Sequence, residues 1–175
     1  MAMKLLTTNT LSSSSESNFT SGIDSTYKLF IFKFYDIDPA AKSDFSFQSS
    51  TDGGSSYGVT KTTTFFKSRH TEADAIVFAY DVDEDMYQAV APQAITGSES
   101  NDADASMAGA LHLFNPSSTT YVKNFYSRTV SMGTGTIALD TYAAGYVNAT
   151  AVVDAIKFQF ASNDYDGTIK MWGVK

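Results

Sequence analysis

The 175 residues suffice for one domain with a sizeable core but not for two full domains. A formal net charge of −7, with 12 Lys and Arg scattered along the chain, repels phosphate backbones and anionic lipid and so disfavours nucleic-acid and membrane-surface partners. The absence of cysteine excludes a disulfide framework and thiolate metal sites, and no apolar run approaches the roughly 20 residues of a membrane helix.

The start, Met1-Ala2-Met3-Lys4-Leu5-Leu6, turns polar at Thr7 before the apolar core of a secretory signal can form. Thr7 to Ser21 is Ser- and Thr-rich. Residues 1–17 therefore read either as an N-terminal arm ordered by a neighbour or as an edge strand, with residues 18–175 as a β-sandwich domain. The apolar anchors Met3, Leu5, Leu6 and Leu11 make this segment the candidate attachment site, mobile in the free protein and ordered on assembly by strand addition.

The strongest strand signal is Tyr27 to Ile37, where both alternating faces are apolar: Tyr27, Leu29, Ile31 and Tyr35 on one, Phe30, Phe32 and Phe34 on the other. Such a strand belongs in mid-sheet, covered on both sides. Phe45 and Phe47 alternate with Ser46 and Gln48, and Gly53-Gly54 supplies a hairpin turn. Val59 to Phe66 and Ala75 to Tyr80 read as strands separated by polar residues 67–72. From Asp81 to Ser106 the pattern dissolves into a long connection of the functional or mobile kind.

Strands return at Met107 to Phe114, Thr120 to Val130, Leu139 to Val147, Ala155 to Phe160 and Thr168 to Val174. A hairpin turn is expected at Gly133-Thr134-Gly135, and another over residues 163–167 joining the last two strands. Nine or ten strands without a sustained helical period give an all-β fold, a single jelly-roll-like β-sandwich. Phe30, Phe32, Phe34, Phe45, Phe47, Leu113, Ile156, Phe158 and Phe160 are its expected core.

Motifs for chemistry are sparse. His70 and His112 lack metal-ligand spacing, and His112 faces opposite to Leu111 and Leu113 as a surface or hydrogen-bonded side chain. No Ser lies in a G-x-S-x-G elbow, so no catalytic residue is assigned. Asp81, Asp83 and Asp85 alternate as at the start of a calcium loop, but Met86 stands where that loop needs Gly. They are weak calcium candidates against the simpler reading of a solvated acidic loop, and no cofactor is expected. Trp172 is read as core in preference to a sugar-stacking ring.

The string Phe19-Thr20-Ser21-Gly22-Ile23-Asp24-Ser25-Thr26-Tyr27, the Phe30 to Phe34 run, Phe45-x-Phe47-Gln48, Leu113-Phe114-Asn115-Pro116-Ser117-Ser118-Thr119-Thr120 and the ending Gly167 to Val174 resemble a family of small virion proteins from marine tailed bacteriophages. The resemblance implies a non-enzymatic structural component of the particle, assembled in the host cytoplasm: a capsid decoration protein or a head, neck or tail appendage subunit. Its partners would be other phage structural proteins and further copies of itself, a trimer being the leading expectation. The alternative is a carbohydrate- or receptor-binding module of a phage fibre, with a host-surface glycan as ligand. The aromatic surplus, 13 Phe and 10 Tyr, fits an oligomer interface.

Overall fold

A computed structural model describes residues 3–161 and 163–175, and among these it contains twelve strands and no helix. They are β1 (Met3–Ser14), β2 (Glu16–Phe19), β3 (Leu29–Pro39), β4 (Phe45–Ser50), β5 (Lys61–Thr71), β6 (Ile76–Tyr80), β7 (Gln93–Ala94), β8 (Met107–Phe114), β9 (Lys123–Gly133), β10 (Ile137–Val147), β11 (Ala155–Phe160) and β12 (Tyr165–Val174). Two antiparallel sheets pack face to face. The larger has eight strands in the order β1-β12-β3-β8-β9-β10-β5-β6, and the smaller has four in the order β2-β11-β4-β7.

This order is that of a rolled ribbon. The chain folds back on itself, pairing β1 with β12, β2 with β11, β3 with β8, β4 with β7 and β5 with β6. Rolling then brings β12 against β3, β11 against β4 and β10 against β5. That is jelly-roll connectivity, with the β9–β10 hairpin inserted between β8 and β5.

The core lies between the sheets, and all nine expected residues are in it. Phe158, on β11 of the small sheet, packs its ring against Phe19, Phe32, Phe34 and Phe45 at centroid distances of 5.1–6.1 Å. Most of these contacts are edge-to-face or tilted, the arrangement the ring quadrupole favours. Close to this core, Gly173 leaves room for the Tyr27 ring, which would lie 2.5 Å from any added Cβ.

Of the two readings of the N-terminal segment the edge strand is the one found, and several other sequence expectations change. Residues 3–14 form an edge strand in register with β12 from Met3↔Val174 to Ser14↔Tyr165, with bulges after Leu5 and Leu11. Residues 67–71 continue β5 instead of interrupting it, paired with both β6 and β10, and their polar side chains are half-buried or exposed. Neither the Gly53-Gly54 turn nor residues 163–167 close a hairpin: β4 and β11 are in the small sheet while β5 and β12 are in the large one, so each turn crosses between sheets. Gly53 and Gly54, at φ of 73° and 87°, make that first reversal.

The connection from Asp81 to Ser106 contains β7, the edge strand of the small sheet, and is anchored by backbone bonds to β5 and β9. Ile95 is fully buried. The side chain of Gln93 accepts from the Thr63 hydroxyl and donates to the carbonyls of Glu84 and Ala94, and the Thr96 hydroxyl accepts from the Phe45 amide. Satisfied buried polar groups hold a segment that has little apolar periodicity.

The change with most bearing on function concerns β3. It sits in mid-sheet as expected, but only its Phe30, Phe32 and Phe34 face is covered; Ile31 is half-buried and Tyr35 exposed on the other.

Candidate functional site: the outer face of the large sheet

Because paired antiparallel residues share a face, the registers define rows across the uncovered side of the large sheet. One row runs Tyr80, Phe66, Tyr142, Arg128, Ala110, Lys33, Lys170, Thr8. The next runs Thr64, Ala144, Tyr126, His112, Ile31, Trp172, Leu5. Beside them lie Ile76, Phe78, Val130 and Phe114, and the exposed large side chains include Ile76 (75%), Phe78 (76%), Val130 (48%) and Tyr126 (44%). An aromatic and aliphatic face this broad is unusual for a surface left to water, which makes it the candidate interaction site.

The rings on this face stand in stacked ladders. Phe66 and Tyr142 are 4.7 Å apart and within 8° of parallel, and the Arg128 guanidinium lies 5.1 Å from the Tyr142 centroid. His112 and Tyr126 stack at 4.5 Å and 12°. One face of each ring is thus spent on its stacking partner. A sugar stacks on an open ring face, and within each ladder the face turned to its partner is closed to one. Arg128 also forms a bidentate ion pair with Asp140, Nε to Oδ1 at 3.0 Å and Nη2 to Oδ2 at 2.8 Å, which leaves this pair electrically balanced.

Burial and the Lys33 charge hold the His112 imidazole below its ordinary range, so it is neutral near pH 7, and its Nδ1 is buried without a partner. Trp172, expected in the core, instead lies half-buried on this outer face with Lys33 over its ring at 5.8 Å.

The four attachment candidates divide between the two sides of β1. Met3 and Leu5 are exposed at the end of the outer face, whereas Leu6 and Leu11 pack against the core. The three calcium candidates do not converge. The Lys67 ammonium pairs with Asp81 and holds its carboxyl below the usual range, Asp85 accepts from the Tyr80 hydroxyl, and Asp83 donates its amide to Asp81. Among the described residues no group of three or more His, Asp or Glu is gathered to hold a metal. No helix among them is long and apolar enough to cross a membrane.

The most perturbed carboxyl lies elsewhere. Glu99, only 1% exposed, is held between the two sheets by backbone bridges to Ser43 and Gly133. Burial raises its pKa from 4.5 to about 8, against the opposing Ser131 and Thr96 hydroxyls, and one carboxyl oxygen has no partner. With the folded value above the unfolded one, the stability this group contributes is complete below about pH 4.5 and is lost as pH rises towards 8. Asp44 and Glu84, both raised by burial, act in the same sense. Glu99→Gln removes the charge but keeps the shape, so its thermal stability is expected to fall less than the parent's between about pH 5 and about pH 9. Melting curves at the two pH values check this; parallel losses in both proteins would contradict it.

No family model and no curated protein matches the chain. Among solved structures the chain is similar to a structural-genomics protein of unknown function from Bacteroides ovatus, at 8% identity and a TM-score of 0.22, with 81% of this chain and 46% of that one covered. The chain spans about half of that protein's length, and a likeness this low supports no statement on fold or role.

Proposed function

We propose that the protein is a non-enzymatic structural component of a tailed-phage particle, a capsid decoration protein or a head, neck or tail appendage subunit, held in place through the outer face of its large sheet. The observation that carries this reading is the apolar face of β3 and its neighbours, which the fold leaves uncovered. A strand apolar on both sides is built for cover on both sides, and here only one cover comes from the chain itself. The second cover is a neighbouring subunit, further copies of this chain in a closed oligomer among them, with a trimer as the leading arrangement. The virion assignment itself rests on the sequence strings from Phe19 to Tyr27 and from Leu113 to Thr120.

The fibre-module alternative, a receptor-binding sandwich that stacks a glycan, is less favoured because Phe66, Tyr142, His112 and Tyr126 each give one ring face to a stacking partner. The test is location. Particles purified from an infected culture are expected to contain the chain in many copies, and its confinement to the soluble fraction would end this reading.

A further inference from the structure

Strand β6 closes one end of the large sheet and, among the described residues, pairs only with β5, so its other side presents backbone donors and acceptors that none of them pairs. Its sequence, Ile76-Val77-Phe78-Ala79-Tyr80, has no charge and no proline, and four of its five side chains are exposed. Native sheets guard such edges with inward charges, proline, bulges or a covering loop. Here the charges stand outside the strand: Glu72 and Asp74 before it, and Asp81, Asp83, Glu84 and Asp85 after it. No Lys or Arg occurs anywhere from His70 to Val122. The edge is a short apolar template between two acidic flanks, in which Lys67 pairs with Asp81 and the His70 ring lies 3.0 Å from Asp74, and no Lys or Arg ion pair to Glu72, Asp83, Glu84 or Asp85 is found among the described residues.

We infer that the free edge of β6 accepts, as an added strand, an extended segment of another protein that carries alternate apolar residues and Lys or Arg on its flanks. Backbone hydrogen bonds supply the pairing, and Ile76, Phe78 and Tyr80 supply an apolar row continuous with Phe66 on β5, whose ring is 5.7 Å from that of Phe78. Charge selects the occupant. A second copy paired antiparallel about Phe78 would bring Glu72 and Asp74 of each strand towards Asp81 to Asp85 of the other, like against like, whereas basic flanks meet opposite charge at both ends. The free backbone edge of β6 borders the outer face and shares Ile76, Phe78 and Tyr80 with it, but the argument for an added strand does not depend on the virion reading.

The probes are labelled peptides with a Val-Thr-Val-Tyr-Val core: one flanked on each side by Lys-Lys, a twin flanked by Glu-Glu, and a Lys-flanked twin with proline at its centre. Binding to the full chain is followed by fluorescence anisotropy. The Lys-flanked peptide is expected to bind about tenfold more tightly than either twin, and to weaken as salt rises from about 0.05 M to about 0.5 M. Phe78→Thr, a change at an exposed position, should reduce that binding about tenfold with an unaltered melting temperature. Equal binding of the three peptides, or no effect of Phe78→Thr, overturns the inference. A dimer of the chain alone that Phe78→Thr dissolves but that the outer-face change Tyr126→Asp with Val130→Asp leaves intact also overturns it, by giving the edge to a second copy.

Discussion

Phe158→Ala is expected to cost about 3–5 kcal/mol of folding stability, a large part of the roughly 5–15 kcal/mol that a domain possesses. Phe158 sits on β11, between β2 and β4 in the small sheet, and its ring touches those of Phe19, Phe32, Phe34 and Phe45, drawn from both sheets. Truncation leaves a cavity whose lining is four rings on strands fixed by their own ladders, so little collapse can fill it. Chemical denaturation should show a lower midpoint with an unchanged slope. A loss below about 1 kcal/mol would mean that these rings do not form the centre of the core.

Deleting residues 2–14 is expected to lower the melting temperature by about 10 °C or more and to promote aggregation. The deletion removes the β1–β12 ladder, the burial of Leu6 and Leu11, the bond from the Ser13 amide to Asp166 at 2.6 Å and that from the Asn9 side chain to Ser17 at 2.9 Å. It also turns β12 into an exposed edge beside Trp172. Loss from particles after such a deletion could follow from damage to the fold alone. The double change Met3→Ser with Leu5→Ser removes only outward side chains, and should leave the melting temperature within a few degrees of the parent. If that variant is still incorporated fully, β1 contributes to the sandwich and not to attachment; a folded variant lost from particles would locate attachment at Met3 and Leu5.

The fold was legible wherever period-two alternation was strong. The Phe30, Phe32, Phe34 series and the Phe45, Phe47 pair declared their buried faces directly, as did Phe158 and Phe160. Sheet membership was not legible, because a turn such as Gly53-Gly54 can close a hairpin or carry the chain between sheets, and the choice is made by distant pairings such as β4 with β11. Strand β7 was hidden because Gln93 is buried through hydrogen bonds and gives no hydrophobic signal. The candidate site was half visible. Ile31, Tyr35 and His112 were placed opposite the core-facing residues of their strands, but the cover expected over β3 is not supplied by the chain. Phe66, Tyr142 and Tyr126 became a ladder only once the register set them side by side. Trp172 was assigned to the core because a tryptophan usually sits there, and its position was decided by the register with Leu5 and Ile31.

The most direct test combines location with the outer face. Particles are purified from infected cultures in which the chain is either the parent or the double variant Tyr126→Asp with Val130→Asp, and its copy number is measured by quantitative mass spectrometry. Both side chains are about half exposed, so the variant should fold with a melting temperature close to the parent's while placing two charges at the centre of the proposed interface. The account predicts many copies of the parent per particle, and a variant that stays folded in the soluble fraction and is lost from particles. A parent absent from particles, or a variant incorporated as fully as the parent, would contradict it.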